Sequence, residues 1–81
     1  MELMGKREFY LLMYLKESGY LYIARDESST IFAYEKQPEK YERTWIPCGN
    51  RMFYIDAELF SFITWQDEEP TLIQDLMKEV K

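Results

Sequence analysis

The sequence predicts an α+β domain in which an N-terminal helix and a C-terminal helix accompany a small antiparallel sheet of three to five short strands. Apolar residues recur at helical spacing near both ends of the chain. Between them, short aromatic and β-branched segments alternate with polar turns, which is typical of strands. The length of 81 residues suffices for one domain, residues 1–81, but not for two.

The first element is predicted to be a helix over residues 6–18. Phe9, Leu12 and Met13 are spaced as one apolar helix face. Gly19 follows as the helix stop, because glycine adopts a left-handed backbone conformation without steric cost.

The middle of this helix lacks a polar side. Residues 9–15 are all apolar or aromatic, and seven consecutive residues reach every side of a helix, whereas an ordinary surface helix keeps one side polar. Either the domain itself covers the helix on two sides, or one side meets a partner. From the second alternative we expect a homo-oligomer, in the simplest form a homodimer, with Tyr10, Leu11 and Tyr14 at its interface.

A β-hairpin is predicted next. Residues 20–25 and 30–36 have the composition of strands, and the polar residues 26–29 form the turn between them. Residues 37–43 are polar and charged, so we expect a mobile loop there.

The middle of the chain predicts further short strands. Residues 44–46 and 52–55 are expected to pair across a turn at residues 48–50. Asp56 then suits the cap of a single helical turn. The apolar alternation of residues 60–65 indicates another strand.

The chain is predicted to end in a second helix that begins at Pro70, since proline suits the first helical position. Leu72, Ile73, Leu76 and Val80 form its apolar face. Unlike the first helix, this one keeps a polar side.

The composition excludes most catalytic chemistry. The chain has no histidine, which excludes a Ser–His or Cys–His pair, and its three isolated glycines cannot form a phosphate-binding loop. Cys48 would need a cation such as Arg51 to become reactive, and we interpret it as a turn residue. We therefore expect no enzymatic activity, no cofactor and no bound metal.

The acidic charge is concentrated in one part of the sequence. The net charge is -5, and residues 52–77 contain six acidic residues and no basic one. Such a surface attracts basic partners and repels nucleic acid. We expect a protein partner to bind five of these side chains, Asp56, Glu58, Asp67, Glu68 and Glu69. The alternative is that they only cap helices and keep the surface solvated.

The opposite charge prevails in residues 36–51, where four basic residues stand against two acidic ones and two aromatic residues lie among them. Lys36, Lys40, Arg43, Tyr41 and Trp45 could contact phosphates and stack on bases. Nucleic-acid binding is therefore the alternative function, although the acidic net charge disfavours it.

We expect a cytoplasmic protein without a membrane segment. The longest apolar run has seven residues, whereas a spanning helix needs about 20. The N-terminus lacks the basic start and cleavage site of a signal peptide.

Two segments carry a resemblance to a family. Residues 19–40 contain the pattern GY-x-YIARD…AY-x-x-x-P, and residues 59–76 contain LF-x-FI-x-W-x-DEEP-x-x-I. In both, the chain resembles small proteins encoded by phages and prophages of Gram-positive bacteria. The resemblance implies an accessory protein that acts by protein–protein binding, for example as an inhibitor of a host restriction or CRISPR nuclease or another nucleic-acid-handling protein. It implies no catalytic residues. A self-assembling structural module is the remaining alternative.

Overall fold

A computed structural model describes residues 5–49 and 51–78 and has the predicted α+β architecture. Its elements, in chain order, are α1 (Lys6–Glu17), β1 (Tyr22–Arg25), β2 (Ile31–Tyr34), β3 (Glu39–Tyr41), β4 (Thr44–Ile46), β5 (Met52–Ile55), β6 (Thr71–Leu72) and α2 (Ile73–Lys78). The predicted Val80 at the end of the second helix lies outside the described residues.

The strands form two antiparallel sheets. Four strands are arranged in the order β5-β2-β1-β6, and β3 and β4 form a separate two-stranded hairpin. In the larger sheet Ala33 lies between Ile23 of β1 and Phe53 of β5. β6 adds only a short edge, where Leu72 pairs with Tyr22. The C-terminal segment thus returns to the first hairpin.

One face of the larger sheet carries the first core, between the sheet and the two helices. Its buried residues come from α1, α2, the sheet and the segment after β5, and they are Leu12, Leu15, Tyr20, Ile23, Ile31, Ala33, Ile55, Phe60, Ile63, Ile73 and Leu76. Removal of this much apolar surface from water is the main stabilising contribution.

The opposite face of the sheet carries a second, smaller core. Ala24, Tyr34 and Trp45 are buried there, and the partly buried rings of Phe32 and Trp65 pack against them. Trp45 is supplied by β4, so the β3–β4 hairpin covers this face. Both faces of the sheet are therefore covered, which explains why both faces of its strands are apolar.

The pairing predicted across residues 48–50 was wrong. β4 pairs with β3, and β5 pairs with β2. The predicted loop at residues 37–43 contains β3, whose three residues are all exposed. Because an exposed strand has no apolar alternation, its sequence resembles a loop.

The segment before α2 also differs from the prediction. Residues 60–65 form no strand but two consecutive turns, in which Phe60 and Ile63 are buried. The helix predicted to begin at Pro70 begins at Ile73, since residues 71 and 72 pair with β1 instead. Edge pairing to β1 satisfies backbone groups that a first helical turn would leave without partners.

Across the described ranges 5–49 and 51–78, every helix is too short or too polar to cross a lipid bilayer.

Candidate functional site

Arg25 organises the region that contains the acidic residues. Arg25 is the last residue of β1, on the same face of the strand as Ile23, and only 9% of its surface is exposed. Its guanidinium donates hydrogen bonds to the backbone carbonyls of Ile63 (2.7 Å), Ser29 (2.7 Å), Leu59 (2.9 Å), Ala57 (3.1 Å) and Phe60 (3.1 Å). A guanidinium has five N–H donors. All five therefore bind main-chain oxygens, and they connect the β1–β2 turn to the segment after β5.

Phe60 is held in a conformation that large residues rarely adopt. Its φ is +54°, in the left-handed region, and its ring is fully buried. Its N–H donates to the Glu8 carboxylate, which also accepts from the N–H of Gly5 at 2.7 Å. Its carbonyl accepts from Arg25 on the other side. Contacts from α1 and β1 thus fix the turn that carries the acidic segment.

Between these turns lies an open cleft of about 500 Å³. Its walls come from the β1–β2 turn and from the segment between β5 and β6, and its lining residues are Arg25, Asp26, Glu27, Ser29, Ala57, Ser61, Thr64, Trp65 and Gln66. Because Arg25 directs its donors to carbonyls, it offers no N–H group to an anion in the cleft. The lining side chains that accept hydrogen bonds are two carboxylates, three hydroxyls and the Gln66 amide, of which the hydroxyls and the amide can also donate.

Both carboxylates that line the cleft have partners within the domain. Asp26 is buried, and its Oδ1 accepts the N–H of Trp45 at 2.8 Å, which attaches the β3–β4 hairpin to the sheet. Glu27 is exposed and forms an ion pair of 3.6 Å with the exposed Arg43. A surface pair of this kind contributes little to stability and exchanges readily with another cation.

The five acidic residues predicted to bind a partner flank this cleft in the sequence. Asp56 and Glu58 enclose the lining residue Ala57, and Asp67 follows the lining residue Gln66. Glu58, Glu68 and Glu69 are exposed.

Asp56 and Asp67 also have roles in turns. Asp56 Oδ1 accepts the N–H of Glu58 at 2.9 Å, and Asp67 Oδ2 accepts the N–H of Thr64 at 3.1 Å. The helical turn predicted at residues 56–59 is a hydrogen-bonded turn in which Leu59 N–H binds the Asp56 carbonyl. The exposed Glu58, Glu68 and Glu69 are therefore the members with side chains free of these turn hydrogen bonds.

The predicted interface residues of α1 are divided between two environments. Tyr10 and Tyr14 are 65% and 55% exposed, and Met13 beside them is 42% exposed. Leu11 is half-buried and packs against the first core. The domain therefore covers one side of the helix and leaves aromatic side chains on the other.

The basic segment at residues 36–51 is largely engaged within the domain. Lys40 Nζ donates to the carbonyls of Trp65 (2.6 Å) and Asp67 (2.8 Å) and lies 4.1 Å from the centre of the Trp65 ring. Trp45 is buried in the second core, whereas Tyr41 is exposed. Base stacking needs an accessible ring, so this arrangement leaves only one of the two aromatic side chains available for it.

Cys48 lies in a surface turn, and its surroundings oppose reactivity. Desolvation, together with the hydrogen bond to Glu39 and that residue's negative charge, raises the pKa of the Cys48 thiol. Arg51 is engaged elsewhere, with Glu35 at 3.4 Å and over the ring of Tyr20. The thiol is therefore not activated.

Sequence reasoning missed Arg25, Asp26 and Glu27 as parts of the cleft. A signal was present, because Arg25 stands at the same strand phase as Ile23 and a charged side chain at a core-facing position needs buried partners. Those partners are backbone carbonyls of a distant segment, which no residue pattern reveals.

No family model matches this chain, and no curated protein or solved structure matches it at a significant level.

Proposed function

We propose that this chain is a protein-binding module whose cleft receives a basic segment of a partner. One observation carries this proposal: the donors of Arg25 are all bound to carbonyls, while Asp26 and Glu27 line the cleft. The charged groups that the cleft leaves for a ligand are therefore acceptors, beside neutral hydroxyl and amide groups. Arginine and lysine side chains are the protein groups that match such acceptors.

Three more carboxylates lie near the cleft residues in the sequence and extend the same preference. Glu58, Glu68 and Glu69 are exposed and belong to the stretch without basic residues. Exposed carboxylates without nearby basic residues accelerate the approach of a basic partner and disfavour acidic partners. Glu27 can exchange its exposed pairing with Arg43 for a pairing with the partner's cation.

The partner class follows from the charge and from the resemblance to phage and prophage proteins. Host proteins that handle nucleic acid have basic surfaces that bind phosphates. We infer that the acidic cleft competes for such a surface, as an accessory inhibitor of a restriction, CRISPR or related protein would. The phage setting, the cytoplasmic location and the absence of enzymatic activity are parts of this proposal.

The proposal can be tested with defined basic peptides. The probes are a ten-residue arginine peptide and a glutamate peptide of equal length, titrated into ¹⁵N-labelled protein. We expect the arginine peptide to shift the amide signals of residues 26–29 and 57–66, less so as salt is added. The glutamate peptide should shift none of them.

A matched pair of double variants separates the cleft from general charge attraction. Glu27→Gln with Glu58→Gln removes one carboxylate that lines the cleft and one next to the lining residue Ala57, whereas Glu42→Gln with Asp75→Asn removes two elsewhere on the surface. Both variants have the same net charge. If both weakened arginine-peptide binding equally, the cleft would not be the site. In a capture experiment from nuclease-treated host lysate, the candidate partners would be proteins that the wild type and the control variant retain and the cleft variant does not.

A further inference from the structure

The outward side of α1 carries a stripe with opposite charges at its two ends. Lys6, Tyr10, Met13 and Glu17 follow one another at helical spacings of four, three and four residues, so they share one face. The buried Leu12 and Leu15 lie on the other side of the helix. Tyr10 and Met13 are 65% and 42% exposed, and both charged ends are exposed as well.

We propose that this stripe binds the stripe of a second copy of the chain in an antiparallel, two-fold symmetric pair. Positions 6 and 17, and positions 10 and 13, are equally distant from the middle of α1. An antiparallel pairing therefore places Lys6 opposite Glu17 of the second copy, and Tyr10 opposite Met13 of the second copy. The same two contacts occur twice, as an interface between identical surfaces requires.

The charges favour a second copy in this orientation. A parallel pairing would place Lys6 against Lys6 and Glu17 against Glu17, and like charges repel. Antiparallel helices also place the negative end of each helix dipole beside the positive end of the other. The same surface thus contains both the positive and the negative side chain of each expected ion pair. A surface that binds an unrelated partner does not need both.

Tyr14 extends the apolar part of the stripe. It is 55% exposed, and its ring lies 5.7 Å from that of Phe53, which fixes its position beside the sheet. An aromatic side chain that is already ordered loses little conformational freedom when it is covered. Tyr10, Met13 and Tyr14 would therefore form the apolar centre of the interface, between two ion pairs at its rim.

The size of the helix sets the expected strength. A helix of 12 residues is about 18 Å long, so its exposed face is smaller than the roughly 800 Å² per partner of a standard interface. We expect a dissociation constant in the micromolar range or weaker, and hence a dimer that depends on protein concentration.

The test is a charge swap, measured by sedimentation velocity between about 1 μM and about 1 mM, a range that brackets a dissociation constant in the micromolar range or weaker. We expect Lys6→Glu and Glu17→Lys each to weaken the dimer about tenfold or more, since each turns two attractive pairs into repulsive ones. The double variant carrying both changes should regain most of the association. Glu68→Lys has the same charge change as Glu17→Lys but lies outside α1, and it should leave the dimer unchanged.

Both reversals are compatible with the fold. Each places a charge where the helix dipole favours it, an acid near the N-terminus and a base near the C-terminus. Met13→Lys provides a second disruption at the centre of the stripe. A wild type that stays monomeric throughout, or a double variant no better than the single ones, would overturn the proposal. Neither outcome affects the cleft, whose residues lie elsewhere.

Discussion

Replacement of Arg25 by methionine is expected to remove most of the stability of this domain. Methionine keeps the unbranched aliphatic chain but provides none of the five hydrogen bonds to carbonyls. The bonds to Ile63 and Phe60 are buried, and the other three are partly buried, so water can replace the guanidinium more easily at those three. The Phe60 carbonyl also keeps the N–H of Ile63 as a donor.

The magnitude follows from these environments. A buried acceptor left without its donor costs about 1–3 kcal/mol, and bonds to a charged donor are at the upper end. In Arg25→Met the buried Ile63 carbonyl loses its donor, and the other four carbonyls lose a hydrogen bond that water or another N–H replaces in part. We therefore expect the free energy of unfolding to fall by about 2–4 kcal/mol. A core of this size supplies about 3–5 kcal/mol, so the variant should be partly unfolded at 25 °C.

Urea unfolding followed by circular dichroism measures this loss. Arg25→Lys serves as an intermediate, because it retains the charge but lacks the planar fork that reaches several carbonyls at once. Lys40→Met is the matched control, since Lys40 also donates to two carbonyls but does so at the surface. We expect the control to cost less than about 1 kcal/mol. An Arg25→Met variant no less stable than the control would refute the role assigned to Arg25.

Three further substitutions have expected outcomes. Burial and, to a smaller extent, the charge of Asp26 raise the pKa of Tyr34 above its ordinary value near 10. Because the tyrosine ionises first in the unfolded chain, the free energy of unfolding should fall as the pH rises past about 10. Tyr34→Phe should reduce this alkaline loss of stability in thermal melts. Since no described group accepts from the Tyr34 hydroxyl, the same variant should be no less stable at pH 7, and a loss of more than about 1 kcal/mol would contradict this. Gly19→Ala should cost about 1 kcal/mol because the φ of Gly19 is +98°, and an unchanged denaturation midpoint would count against that. Glu8→Gln should destabilise by about 1 kcal/mol and increase hydrogen exchange at the Phe60 amide, an increase that Glu17→Gln should not produce.

The fold class and the first hairpin could be predicted because their signals are local. α1 has apolar helical spacing followed by Gly19, and the strands on each side of residues 26–29 have the expected composition. The observed helix and strands are one or two residues shorter than predicted at some of their ends, where the assignment of an element's last residue commonly varies by that much.

The partners of the later strands could not be predicted, because strand pairing depends on the whole sheet. β5 follows β4 in the sequence but pairs with β2, whose free edge gives it a buried position for Ile55. The acidic side chains were identified from charge alone. Their relation to the cleft depends on Arg25, whose long-range bonds to the carbonyls of Leu59, Phe60 and Ile63 have no local signature.

The position of the two tryptophans gives the domain an internal reporter of partial opening. Trp45 and Trp65 both lie on the sheet face away from the helices, with ring centres 6.5 Å apart, and they are the only tryptophans of the chain. Their fluorescence therefore senses the layer under the β3–β4 hairpin, whereas far-ultraviolet circular dichroism senses the helices as well. Two unfolding curves recorded on one sample would separate if the hairpin lifted before the helices melted, and would coincide if the two layers formed one cooperative unit.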